Sequence, residues 1–306
     1  MDITVGLRLP HQLPDGVQSL RDFAAQVEAA GIDRVCTGDH VTFQDGQGFD
    51  GLINATAIAV AAPRVTVQTA VYLLPLRHPV LVARQVATLA ELAPGRLVFG
   101  VGLGGEDPAE LRACGVDPAT RGRRMDEGLV LLKSLLTGAP VSMRGAFFAV
   151  DQVSIRPAPS PAVPILVGGR SAAALRRVAR HGDGWLGLWV SPHRYAGATA
   201  QVNEHAEEAG RVDVAWQHGM HVWCGLGRAS EQAQQRLAAA MESLYRIPFA
   251  RFERYCPCGT PAQIAEALRP YVAAGCHSFN LIPVAESEHA AIDGVGEVRS
   301  LLREPL

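Results

Sequence analysis

At 306 residues the chain can form one large α/β domain or two ordinary ones, and with 48% apolar and 19% charged residues it has ample material for a core. A net charge of −2 gives no electrostatic reason to expect nucleic acid or an anionic membrane, and the short, interrupted apolar runs do not span a bilayer. No basic region or cleavage site precedes the first apolar run, which points to the cytoplasm, and the six scattered cysteines read as reduced core residues.

The first strand is expected over residues 3–9, ending at Pro10-His11. A helix over 16–30 follows, with Leu20, Phe23, Ala24 and Val27 on one face and Gly31 as its stop. Strand two, 33–37, ends at Gly38-Asp39-His40, and a loop over 44–50 leads to an alanine-rich helix over 52–62. Strand three covers 65–72, and Pro79 opens a helix that Pro94-Gly95 closes. Strand four, Leu97 to Val101, dissolves into Gly102, Gly104 and Gly105 before Glu106. Side-chain-free backbone at a strand end lets a flat ligand lie close against it.

Gly100 to Gly105 also fits G-x-G-x-x-G. A dinucleotide site needs a helix directly after the glycines and an acid closing a second strand about 20 residues on. Here Glu106, Asp107 and Pro108 come next, and Asp126 and Glu127 sit in a helical pattern, so the glycines read instead as one rim of a ring. A helix over 121–136 is followed by a hairpin over 145–155 and a proline-rich connector to Pro164. Strand five, 165–167, ends at Gly168-Gly169-Arg170-Ser171 before a helix to His181. Strand six, 184–189, strand seven, 216–224, and strand eight, 277–282, alternate with helices over 195–209, 231–245, 262–274 and 286–302. Eight strands, each with a helix before the next, predict a single closed (β/α)8 barrel over residues 1–306.

No metal centre is expected. Cys256-Pro-Cys258 has the wrong spacing for zinc, and His218 and His221, three apart in an expected strand, point to opposite faces. A barrel's site lies at the C-terminal ends of its strands. The residues expected there are Pro10-His11, Asp39-His40, Tyr72, the glycines with Glu106, the Gly168–Ser171 turn, Trp189, His218 or His221, and Pro283. They describe a pocket with imidazoles, a carboxylate, aromatic walls and two glycine rims.

Four stretches carry a resemblance: Ala30-Gly-Ile-Asp-Arg-Val-Cys-Thr-Gly-Asp-His40, Thr69-Ala-Val-Tyr-Leu-Leu-Pro-Leu-Arg-His-Pro79, Gly95-Arg-Leu-Val-Phe-Gly-Val-Gly102, and Pro164-Ile-Leu-Val-Gly-Gly-Arg-Ser171 with Gly182-Asp-Gly-Trp185. The chain resembles the luciferase-like monooxygenase superfamily and, within it, the coenzyme F420-dependent oxidoreductases. That resemblance implies a TIM barrel holding a flavin or deazaflavin at its strand ends, with Asp39 and His40 beside the deazaflavin in the F420 enzymes and a non-prolyl cis peptide at Ala70-Val71 behind it. It implies a proton-donor role for Glu106 and a phosphate-binding turn at Gly168, Gly169, Arg170 and Ser171. Backbone N–H groups at a helix start, with an arginine, suit a phosphate on physical grounds too. Gly102 and Gly104 complete the expected cofactor contacts.

The sequence shows no match to the residues that bind a sugar phosphate in F420-dependent glucose-6-phosphate dehydrogenases, so another small-molecule substrate is expected. His40 and Glu106 are the candidate acid/base groups of an F420-dependent oxidoreductase, expected as a homodimer. The alternative is a monooxygenase using reduced FMN and oxygen. A third reading, a barrel that has lost catalysis, conflicts with the retained His40, Glu106 and glycine turn.

Overall fold

The computed structural model describes residues 3–10, 14–44, 46–105 and 107–304, so His11 and Glu106 lie outside the described residues. The elements run β1 (Thr4–Arg8), α1 (Val17–Ala29), β2 (Arg34–Thr37), α2 (Gly51–Ala61), β3 (Thr66–Leu73), α3 (Pro79–Leu92) and β4 (Leu97–Gly102). A short α4 (Pro108–Ala113) and α5 (Arg121–Leu135) precede an antiparallel hairpin of β5 (Val141–Arg144) and β6 (Ala149–Val153). Then come β7 (Ile165–Gly168), α6 (Ala172–His181), β8 (Gly184–Leu188), α7 (Pro192–Glu208), β9 (Gly219–Leu226) and α8 (Ser230–Tyr245). The chain closes with β10 (Cys258–Gly259), α9 (Pro261–Ala273), β11 (Ser278–Val284) and α10 (Glu288–Arg303).

Strands β1, β2, β3, β4, β7, β8, β9 and β11 pair in parallel in that order, and β11 returns to β1. The sheet is a closed eight-stranded barrel, as the strand–helix alternation predicts. Its outer face packs Val5, Val67, Phe99, Val167 and Phe279 against the helices. Its lower interior is polar: Arg34 donates to Ser278 and Asn280, and Asn280 donates to Gln68 at 3.2 Å. That buried, mutually bonded layer plugs the barrel and leaves the space above it for a ligand.

Several boundaries differ from the expectations. The hairpin lies earlier, because residues 145–148 form its turn. Strand β9 starts at Gly219, so His218 precedes the strand and accepts a hydrogen bond from Trp185 N at its entry. Tyr72, expected in the pocket wall, is fully buried against Phe99 outside the barrel. The short α4 was not anticipated at all.

Candidate active site

The C-terminal mouth of the barrel holds a cavity of about 320 Å³. His40, Asp39, Ala70, Val71, Gly102 and Gly104 line it together with the turn from Gly168 to Ser171. The described residues that the resemblance assigned to the cofactor and to catalysis all line it, whereas Pro10, Tyr72, His218 and Pro283, also expected at the strand ends, do not. A second cavity of about 660 Å³ adjoins it and shares Arg8, Gly38, Asp39, His40, Phe43 and Leu244 as common wall.

The floor is built from β3 and its neighbours. The Ala70–Val71 peptide is cis, as the resemblance implies. Val71 lies against Gly102 of β4 and Gly168 of β7; a Cβ on Gly102 would collide with a Val71 methyl, and one on Gly168 would come within 3.2 Å of the other. The bare glycine backbones therefore let Val71 sit flush.

At the far wall, Gly169 takes a φ of +121°, a conformation that side chains rarely adopt. The turn delivers Ser171 as the N-cap of α6, its Oγ accepting from Ala174 N at 3.2 Å. Trp185 Nε1 fixes the turn by donating to Gly169 O at 2.7 Å. The Ala172 and Ala173 N–H groups have no intrahelical acceptor. Arg170 extends over the Trp189 ring at 5.4 Å.

His40 leaves the end of β2 and faces both cavities. Its Nδ1 lies 3.1 Å from Glu110 Oε2. Glu110 also accepts from Val41 N at 2.6 Å and Thr42 N at 3.2 Å. Burial alone would raise the Glu110 carboxyl, but the hydrogen bonds from His40 and these amides outweigh it and hold it below the usual carboxylate range. An ionised carboxylate only accepts, so Nδ1 carries the hydrogen and Nε2 is left as the proton-accepting nitrogen. Phe43 stacks on the imidazole at 4.2 Å between ring centres.

Glu110, the partner of His40, was not among the residues expected at the site. Asp107 caps α4 and Pro108 opens it, a start signal that places an acid in the first turn. Asp107 also accepts from Gln44 N at 2.8 Å, so α4 clasps the whole loop after β2.

Asp39 lines the cavity and also holds the barrel mouth together. Its side chain is fully enclosed and accepts from Gly51 N at 2.9 Å, Leu73 N at 2.8 Å and the Arg77 guanidinium. Burial would lower the Arg77 pKa, but the Asp39 carboxylate overcomes this and raises it. The pair ties the end of β2 to the end of β3 and the start of α2.

His221, in the middle of β9 and not at its end, lines the cavity with Nδ1 buried and unpartnered among the described residues. Trp189 Nε1 is in the same state. The described residues contain no group of three or more His, Cys, Asp or Glu able to hold a metal. None of their helices is long and apolar enough to cross a membrane.

The fold is a parallel barrel with a ligand-sized, glycine-rimmed cavity and an imidazole–carboxylate pair at its strand ends. Residues 4–278 match the luciferase-like monooxygenase family, and the chain belongs to it. An uncharacterised protein of Mycobacterium tuberculosis is 36% identical over 171 residues, covering 56% of this chain and 59% of the relative. The F420-dependent glucose-6-phosphate dehydrogenase of Kineococcus radiotolerans is 34% identical over 176 residues, 55% of this chain and 51% of that one. The chain thus spans little more than half the length of these curated relatives. In fold, an F420-dependent secondary alcohol dehydrogenase solved with an F420–acetone adduct superposes with a TM-score of 0.87 at 20% identity, over 99% of this chain and 100% of that one.

Proposed function

We propose that the protein is an F420-dependent oxidoreductase moving a hydride between the deazaflavin and a small organic substrate. The observation that carries this reading is His40, held by Glu110, on the rim of a cavity floored by Val71 and glycine backbone. The relatives named for F420 support the choice of cofactor. The residues present fit such a group. Bare backbone lies where a flat ring needs it, and the orphaned Trp189 Nε1 suits a ring with a polar edge. Gly169, Ser171 and the start of α6 would hold its phosphate, with Arg170 as counter-charge.

When bound, F420 supplies or accepts the hydride. The chain's own task is the proton. An alcohol carbon that gives up a hydride becomes a carbonyl only if its hydroxyl proton also leaves, and His40 Nε2 takes it. In the reverse direction His40 returns it to the carbonyl oxygen. Glu110 offsets the charge on the imidazolium in either direction. Glu106 remains the second candidate proton donor. We further propose one domain over the whole chain, a cytoplasmic location, no nucleic-acid partner and a homodimer; exposed Ile53 and Val60 on α2 and Leu81 on α3 offer an apolar face for a second copy.

The second reading, an FMN-dependent monooxygenase, draws on the family itself, and the same turn would seat the FMN phosphate. Parallel fluorescence titrations with F420 and FMN test the choice. F420 should bind about tenfold tighter or better, a difference of ~1.4 kcal/mol. Tighter binding of FMN would replace the proposal by its alternative.

A further inference from the structure

Arg8 is the last residue of β1, level with Cys36 of β2, and lines both cavities. Its guanidinium occupies the space that a side chain on Gly38 would need: a Cβ there would lie 2.7 Å from Arg8 Cζ. Among the described residues no carboxylate, carbonyl or hydroxyl accepts a hydrogen bond from it. Asp39, which lines both cavities with Arg8, is engaged with Arg77, and Glu288, which lines a third cavity with Arg8, makes no ion pair with it. Burial lowers the pKa of Arg8, yet a guanidinium starts so high that it stays charged. A half-buried cation facing a cavity without an acceptor is a group awaiting one.

Two further features narrow the acceptor. His221 lines the same wall, 7% exposed, with Nδ1 unpartnered. Burial, with Arg8 adding to it, pushes this imidazole down to about 3, so it is neutral and contributes hydrogen bonding without charge. Around Arg8 and His221 stand Trp223, Leu244 and Tyr245, which suit an apolar body.

We propose that the substrate is a small carboxylate whose carboxyl group is gripped by the Arg8 guanidinium, with its apolar body against Trp223 and Leu244. One planar, fork-shaped cation matches one planar anion of single charge. A phosphate monoester would leave its second charge unmatched here. The inference rests on the F420 reading only in giving this space to the substrate and not to the cofactor.

Binding of benzoate, its neutral isostere benzamide and inorganic phosphate to F420-loaded protein tests the proposal by calorimetry. Benzoate should bind about tenfold or more tighter than benzamide, the scale of a charge-assisted hydrogen bond. Arg8→Gln should erase that preference and Arg8→Lys should retain part of it, while F420 affinity changes less than about threefold in both, a fraction of the tenfold scale. Equal binding of benzoate and benzamide by the wild-type protein overturns the proposal, and needs no variant to fold. So does a benzoate preference that survives in Arg8→Gln, a failure of benzoate to bind, or phosphate binding tighter than benzoate. Loss of F420 affinity in Arg8→Gln with the benzoate preference intact would assign Arg8 to the cofactor instead. Should the wild-type protein bind no F420, the cofactor reading fails, and the benzoate comparison on the unloaded protein still decides this one.

Discussion

His40 owes its orientation to Glu110, which lies 70 positions later in the chain and reaches it only because α4 folds back over the loop after β2. The imidazole was legible in the sequence from its place directly after a strand. Its carboxylate partner was not, because a helix of six residues gives too little periodicity to read. Glu106, nominated from its place after the glycines, lies outside the described residues, so the described site has Glu110 as the acid paired with His40. If His40 handles the proton, His40→Ala should slow reduction or oxidation of bound F420 about 100-fold, measured by stopped flow per active site. F420 affinity should change far less, since the phosphate turn and the glycine floor are untouched. Glu110→Gln keeps an acceptor for Nδ1 but loses the charge that balances an imidazolium, and should cost about tenfold in the same step. Near wild-type rates in His40→Ala, with only a lowered denaturation midpoint, would make both residues structural.

The β7–α6 junction is the element on which the proposed F420 affinity rests. Its sequence, two glycines and an arginine before a capping serine, made the turn legible without any structure. The φ of Gly169 shows why glycine stands there, and a Cβ would lie 2.9 Å from the Ala174 side chain. Gly169→Leu should therefore weaken F420 binding by about tenfold or more, with the fold retained by circular dichroism, because the loss is of anion contacts at one helix start. Ser171→Ala separates cap from ligand contact: it should cost about 1 kcal/mol of stability through the orphaned Ala174 N–H. Unchanged affinity in Gly169→Leu would remove the phosphate from this turn. Asp39 shows what position alone does not reveal. Its place after β2 put it at the cavity, and the structure adds that its oxygens accept from Gly51 N, Leu73 N and Arg77.

Across the molecule, the barrel was readable because most strands are short apolar runs ended by glycine, proline or a polar pair, and most helices carry a start or stop signal, α3, α6, α7, α9 and α10 among them. The register inside the barrel was not readable. Whether His218 or His221 faced the cavity depended on where β9 begins, and alternation alone cannot set that origin. Both histidines are held neutral, the half-buried His218 pushed down to about 4 and the buried His221 to about 3, in each case chiefly by desolvation. Unfolded chain binds protons at these sites as pH falls below about 6.5, whereas the folded protein does not until near pH 4 or lower. Stability should therefore drop between those values by ~1.4 kcal/mol per pH unit for each group, and His221→Gln should flatten the slope in urea titrations. Glu110, held below its ordinary value of 4.5, adds stability that is full above that pH and lost as pH falls beneath it. A constant urea midpoint from pH 7 to 4.5 would contradict this account of the two histidines. The central claim, that this mouth seats a deazaflavin for hydride transfer beside His40, is tested most directly by a crystal structure of the protein with F420. The account predicts the ring against Val71 and Gly102, its reacting face open to His40, and the phosphate at Gly169–Ser171. A ring bound elsewhere, or a phosphate away from the start of α6, would contradict it.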